Sequence, residues 1–189
     1  MMKRDRLLLL GNFALFQLLW FAAIFGAAAG TELPVFAVLA VLLIWGSLRG
    51  VPFGPDGRMI LAGLVVGLAA EPVWLALGLI EYRMQGFGLL PPAWIMALWV
   101  GFAVSFNYSL AWLQGRPLLA GLFGAVGSAL SVIAGVRFGA ADAPQGLVFL
   151  AVVYAAGWAV LVPLLAWWAA RGRPLLTGKG LSNGPRSLA

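Results

Sequence analysis

Six long apolar segments, separated by short breaks rich in glycine, proline and charge, account for most of the chain. They cover residues 7–29, 34–48, 59–80, 92–113, 118–139 and 146–170. A helix needs about 20 residues to cross a hydrocarbon core of about 30 Å, and every segment except 34–48 reaches that length. Residues 34–48 span only about 22 Å as a helix, so we expect them to borrow flanking residues or to thin the bilayer locally. The pattern predicts an all-α membrane protein, a bundle of six transmembrane helices.

Charged residues are few and lie mostly between these segments. The chain is 63% hydrophobic and 10% charged, with a formal net charge of +6. If six helices alternate in direction, every lysine and arginine except Arg83 and Arg137 falls on one side of the membrane. An excess of basic residues marks the cytoplasmic side, so we predict that both termini are cytoplasmic. Anionic lipid accounts for this basic face, and no nucleic-acid partner is expected.

The same pattern divides the chain into three regions. Residues 1–6 form a basic cytoplasmic N-terminus, residues 7–170 the six-span domain, and residues 171–189 a basic, disordered cytoplasmic tail. Residues 51–57 contain two prolines and two glycines, which predicts a turn-rich cytoplasmic loop. A cleaved secretory signal is the alternative for the first segment, but its apolar run of about 20 residues exceeds the 7–15 of a typical signal core.

Composition removes several kinds of chemistry. The chain has no cysteine and no histidine, so disulfides, thiolates and the commonest metal ligand are missing. A Ser-His-Asp arrangement is excluded for the same reason. The six carboxylates are scattered, so we expect no metal site and no cofactor. Whether the protein is an enzyme stays open at this point.

Glu71 lies inside an otherwise apolar segment, where an ionised carboxylate is costly without a partner or water. Gly63, Gly67 and Glu71 recur every four residues, so a helix places the acid on a small-residue face suited to contact with another helix. Pro72 removes a helical hydrogen bond and favours a kink. A freed carbonyl beside a carboxyl group is an arrangement that binds a cation, a proton or a ligand hydroxyl. The alternative is a neutral glutamic acid that bonds an asparagine or serine and holds helices together.

Other polar side chains within the apolar segments complete the candidate site. The candidate ligand-binding residues are Glu71, Asn107, Asn12, Ser128 and Ser131. Asn12 and Asn107 lie about 8–9 Å from the cytoplasmic ends of their helices. Glu71 and Ser128 lie deeper, about 15–18 Å from those ends. Gln17 lies about 140° from Asn12 around the first helix, so the two cannot share one partner. We expect Ser128 or Ser131 to donate a hydrogen bond to Glu71, although small residues on this segment also favour plain helix packing.

Three motifs in order along the chain resemble those of a known family. They are Asn12-x-x-x-Phe16-Gln17-x-x-Trp20-Phe21, Asn107-Tyr108-Ser109-Leu110-x-Trp112-Leu113 and Gly127-x-x-Leu130-Ser131-x-x-Ala134-Gly135. The family consists of small bacterial integral inner-membrane proteins catalogued as a domain of unknown function. Tyr108 stands where the family often has histidine, and Glu71 where it often has aspartate. The resemblance implies a multi-pass protein of the bacterial inner (cytoplasmic) membrane, with gene neighbours that act on lipids, and it implies no specific activity.

Three functions are compatible with these residues. The first is binding or handling of an apolar, lipid-like molecule with one polar group, using Glu71, Asn107 and Asn12. The second is a proton-coupled carrier of a small solute in which Glu71 titrates. The third is a non-catalytic role in stabilising a membrane-protein partner. A cavity that opens sideways to lipid would favour binding of an apolar molecule. A water path to both faces of the membrane would favour the carrier, and a packed core without a cavity would favour the stabilising role.

The charge pattern yields a topology that reporter fusions can measure. Fusions after residues 51–57, after residues 114–117 and at both termini should report a cytoplasmic position, because the basic residues cluster there. Fusions within residues 81–90 should report the opposite side. A C-terminal reporter on the outer side would contradict the six-span topology.

Overall fold

The computed structural model describes residues 3–47 and 54–172 and consists almost entirely of helix. The helices are α1 (Lys3–Ala28), α2 (Leu33–Ser47), α3 (Gly54–Ala76), α4 (Ala93–Ser105), α5 (Pro117–Arg137) and α6 (Leu147–Arg171). A short 3-10 helix (Ala111–Leu113) follows α4, and two strands of two residues each, β1 (Glu81–Tyr82) and β2 (Ala141–Asp142), lie in connections. The prediction of a helical protein is confirmed, and one small strand pair is present that the pattern did not indicate.

Four of the described helices are long and apolar enough to cross a membrane: α1, α3, α5 and α6. Helices α2 and α4 have 15 and 13 residues, which correspond to about 22 Å and 20 Å of helical rise. The short length of α2 was expected. The prediction of one continuous span over residues 92–113 is wrong, because α4 ends at Ser105.

Helix α4 ends early because the polar residues after it bond to other parts of the bundle. The backbone tightens into bonds between residues three apart, with Asn107 N donating to Val104 O at 2.9 Å and Tyr108 N to Ser105 O at 3.0 Å. The Asn107 amide then donates to Asp56 Oδ1 at 2.7 Å, and the Tyr108 hydroxyl donates to the other oxygen of Asp56. Satisfying these partly buried groups outweighs continuing the helix.

Two predicted boundaries also change. Residues 54–57 form the first turn of α3 instead of a loop. Proline is tolerated in a first turn, and Asp56 at this position is favoured by the positive end of the helix dipole. Residues 51–53 and 173–189, and with them nearly all of the predicted tail, lie outside the described residues. Helix α1 begins at Lys3, so the described part of the basic N-terminus is helical.

Helix α4 lies among α1, α2 and α3, whereas α5 and α6 pack chiefly against each other. The predicted glycine face of α3 is confirmed, since Gly63 and Gly67 are buried and contact α4. A Cβ atom on Gly63 would lie 2.7 Å from the Trp99 carbonyl oxygen, and one on Gly124 of α5 would lie 2.2 Å from the carbonyl oxygen of Trp158 in α6. Both pairs of helices therefore approach closely where glycine removes the side chain.

Strands β1 and β2 join the two halves at one end of the bundle. They pair antiparallel, with Glu81 opposite Asp142 and Tyr82 opposite Ala141. Arg83 N extends the pairing by donating to Ala140 O at 2.9 Å. The α3–α4 and α5–α6 connections thus meet at the same end of the bundle.

The glycine contacts predict a matched pair of stability effects. Gly63→Ala places a methyl group against the backbone of Trp99, which cannot move aside, and should destabilise the fold by about 1–3 kcal/mol. Gly127→Ala is the control, because the space around its Cβ position is open and alanine favours helix over glycine. Thermal unfolding in detergent should show a lower midpoint for the first variant only. Equal midpoints for the two variants would contradict the close packing of α3 on α4.

Candidate functional site

A chamber of about 530 Å³ lies between helices α1, α3 and α4 on one side and the α5–α6 hairpin on the other. Aromatic and aliphatic side chains make most of its wall. Glu71 is the only charged residue that lines it within the described part of the chain. The residue singled out by the sequence therefore lies on the wall of an apolar chamber, and its predicted orientation into the bundle is confirmed.

Both carboxylate oxygens of Glu71 accept hydrogen bonds from buried aromatic residues. The Tyr82 hydroxyl donates to Oε2 at 2.5 Å, and Trp99 Nε1 donates to Oε1 at 2.8 Å. The Tyr82 and Tyr154 hydroxyl oxygens lie 3.2 Å apart. Because Tyr82 has one hydroxyl proton and gives it to Glu71, Tyr154 donates to Tyr82. The result is a chain of hydrogen bonds from α6 through β1 to Glu71 on α3.

Three separate features of the sequence position these groups. Gly67, one turn before Glu71, lets α4 approach so closely that a Cβ atom there would lie 2.7 Å from the Trp99 ring. Strand pairing holds Tyr82 over the end of the bundle, where it is only 5% exposed. Helix α3 continues past Pro72 to Ala76, so Glu71 stays on the face that begins at Gly63.

Stacked aromatic rings surround this carboxylate. Trp99 and Trp158 stack with centroids 4.6 Å apart, and Trp74 and Tyr154 stack at 4.5 Å. Trp94 meets Tyr82 edge to face at 5.4 Å. The indole N–H groups of Trp94 and Trp158 are buried without an acceptor among the described residues. We call Tyr82, Trp94, Trp99, Tyr154 and Trp158 the aromatic shell of Glu71.

The aromatic shell was not predicted from the sequence, because tryptophan is ordinarily expected at membrane interfaces and lipid-facing surfaces. The tyrosines could have indicated these buried polar contacts. The chain has three tyrosines, and a buried tyrosine hydroxyl usually needs a polar partner. All three are buried, and all three bond to a carboxylate or to one another: Tyr82, Tyr108 and Tyr154.

The two candidate asparagines lie away from the chamber, at the opposite end of the bundle from the strand pair. Asn12 Oδ1 accepts a hydrogen bond from the Ser109 hydroxyl at 2.6 Å. Asn107 donates to Asp56, as described above. These groups join α1 and α3 to the chain after α4, and we call Asn12, Asp56, Asn107, Tyr108 and Ser109 the inner polar cluster. The structure does not bring Asn12 or Asn107 together with Glu71.

The two candidate serines line the chamber but do not bond to Glu71. Ser131 Oγ accepts a hydrogen bond from Trp20 Nε1 at 2.8 Å, and Ser128 Oγ donates to the Ala125 carbonyl oxygen at 3.3 Å. The expectation that one of them donates to Glu71 is therefore wrong, because Tyr82 and Trp99 occupy that role. The alternative prediction, that Glu71 bonds to an asparagine or a serine, is wrong for the same reason.

The exposed residues of the chamber wall indicate an opening at the side of the bundle, between α1 and α5. Its exposed lining residues lie near the middle of these two helices: Gln17 and Phe21 on α1, and Gly127 and Leu130 on α5. Contact between α1 and α5 is sparse. The Trp20–Ser131 hydrogen bond links them beside the opening. The exposed part of the chamber wall therefore lies near the middle of both helices.

The hydrogen-bond chain predicts an order of stability effects. Tyr82→Phe removes the donor from Glu71 Oε2 and leaves a buried acceptor unpaired, which should cost about 1–3 kcal/mol. Tyr154→Phe removes only the outer link and keeps the Tyr82–Glu71 bond, so its effect should be smaller. Thermal unfolding in detergent compares the two variants. A larger loss for Tyr154→Phe would contradict the assigned direction of the chain.

Comparison with known proteins matches the chain to a family model. No curated protein and no solved structure matches the chain. The family model described as "Protein of unknown function (DUF2878)" matches residues 9–164. That range includes Glu71, its aromatic shell and the inner polar cluster, and it covers most of the chain. The chain therefore belongs to the DUF2878 family, as its motifs indicated.

Proposed function

We propose that this protein binds an apolar, lipid-like small molecule with one polar group, which enters the chamber from the membrane between α1 and α5. In this proposal the protein is a multi-pass component of the bacterial inner membrane with six spans and both termini in the cytoplasm. The two short helices, α2 and α4, span with the help of flanking residues or a locally thinned bilayer. The proposal concerns binding and assigns no reaction.

The sideways opening is the observation that carries the proposal. Gly127 and Leu130 are exposed on α5 and also line the chamber, as do Gln17 and Phe21 on α1. An opening at the middle of two membrane-spanning helices faces acyl chains, not water. The volume of about 530 Å³ falls within the roughly 300–1,000 Å³ typical of small-molecule sites.

Glu71 supplies the polar end of the site. An ionised carboxylate has about four acceptor positions, of which Tyr82 and Trp99 use two. The remaining positions are available to a donor group on the ligand. The apolar wall around this single polar group matches a molecule with one polar head and an apolar body.

The other two hypotheses receive less support. The Tyr154–Tyr82–Glu71 chain of exchangeable protons is the observation that favours a proton-coupled carrier. The opening at mid-depth, in contrast, favours exchange with lipid over passage between the two faces. A purely stabilising role for a partner protein would suit a packed core, and a chamber of this size argues against it.

Native mass spectrometry of the purified protein tests the proposal. The wild-type protein should retain an apolar small molecule. Gly127→Phe places a ring where the Cβ position has open space on the chamber wall, and it should lose most of this occupancy. Val126→Phe is the matched control, because Val126 is 52% exposed and does not line the chamber.

Two outcomes would contradict the proposal. One is a wild-type protein that retains nothing and binds no added apolar probe. The other is equal occupancy in Gly127→Phe and Val126→Phe, which would place the bound molecule on the outer surface.

A further inference from the structure

We infer that the polar group of the ligand is an organic ammonium with N–H donors, so that the chamber recognises an amphiphilic amine in its protonated form. This inference rests on the proposed function and specifies the class of molecule. It follows from the charge inside the chamber, the aromatic shell and the apolar entrance.

The described residues that line the chamber include one acidic side chain and no basic one. Glu71 is 3% exposed, and no lysine or arginine among the described residues lines the chamber with it. Tyr82 and Trp99 donate to both of its oxygens, which is the hydrogen bonding that a negative carboxylate needs. A buried charge without an opposite charge is costly. A cationic ligand supplies the missing positive charge, and a neutral one does not.

The aromatic shell favours the same ligand. The faces of tryptophan and tyrosine rings attract cations, and groups of such rings are a general means of recognising quaternary ammonium groups. Tyr82 and Trp99 contact Glu71 directly. Trp158 stacks on Trp99, and Trp94 meets Tyr82 edge to face. The carboxylate and these rings line the same chamber, so an ammonium group bound to Glu71 lies beside aromatic rings.

The entrance defines the rest of the molecule. Phe21 and Leu130 are exposed at the opening and line the chamber. A hydrophilic cation would have to leave water and cross lipid to reach this position. An ammonium group on an alkyl chain instead partitions into the membrane and presents its head at the opening. The ligand class is therefore amphiphilic amines, not small hydrophilic cations.

The ligand side of the inference can be tested on the wild-type protein alone. Dodecylamine and dodecanol share the alkyl chain and differ in charge, and native mass spectrometry from non-ionic detergent measures the occupancy of each. Because hydrogen bonds to charged groups are stronger than those between neutral groups, the amine should bind about tenfold more tightly, a difference of about 1.4 kcal/mol. Equal affinities would overturn the ammonium assignment and leave the apolar chamber intact. Binding of neither compound would overturn the proposed function as well.

Two variants that each remove one carboxylate test whether Glu71 is responsible for the preference for the amine. Glu71→Gln keeps the shape of the side chain and should abolish the preference for the amine while dodecanol still binds. Glu81→Gln is the control, because Glu81 is exposed on β1 and should keep the full preference. Retention of the preference in a folded Glu71→Gln protein would overturn the inference. If that variant does not fold, the comparison of amine and alcohol on the wild-type protein still decides it.

Discussion

A carboxylate inside an apolar bundle must be given hydrogen-bond donors, and much of this fold serves that requirement for Glu71. Helix α3 carries the acid on its glycine face, and the close approach of α4 over Gly67 brings the Trp99 indole within 2.8 Å. The β1–β2 pair fixes Tyr82 above it. In water such bonds would contribute little, but in a water-poor interior the unpaired group would be costly. Helix packing and strand pairing are thus coupled through one side chain.

The same requirement explains the other end of the bundle. Asp56 is satisfied by Asn107 and Tyr108, and Asn12 by Ser109. These bonds are possible only because the chain leaves the α-helix after Ser105 and turns its polar side chains towards α1 and α3. The short length of α4 is therefore a consequence of polar satisfaction. Length and hydropathy alone suggested a full span.

The sequence predicted what depends on local periodicity and failed where distant segments meet. The four-residue spacing of Gly63, Gly67 and Glu71 correctly indicated a buried face on α3. Depth along each helix put Asn12 and Asn107 in a different layer from Glu71, yet the prediction still combined the three residues in one ligand site, and the structure keeps them apart. The partners of Glu71 depend on the pairing of β1 with β2, segments far apart in the chain, and no periodicity reports such a pairing. Two-residue strands also leave almost no trace in a hydropathy pattern.

Helix α5 uses small residues in two opposite ways, and this difference creates the chamber. Gly124 lets the Trp158 backbone approach, so that α5 and α6 pack as a tight hairpin. One turn further on, the Cβ position of Gly127 faces open space, and contact with α1 is sparse. An empty apolar space loses dispersion contacts along its whole wall. Lipid chains provide no extra force that would pull the helices together over it. An apolar molecule in the chamber restores those contacts, so the occupied protein should be more stable than the empty one.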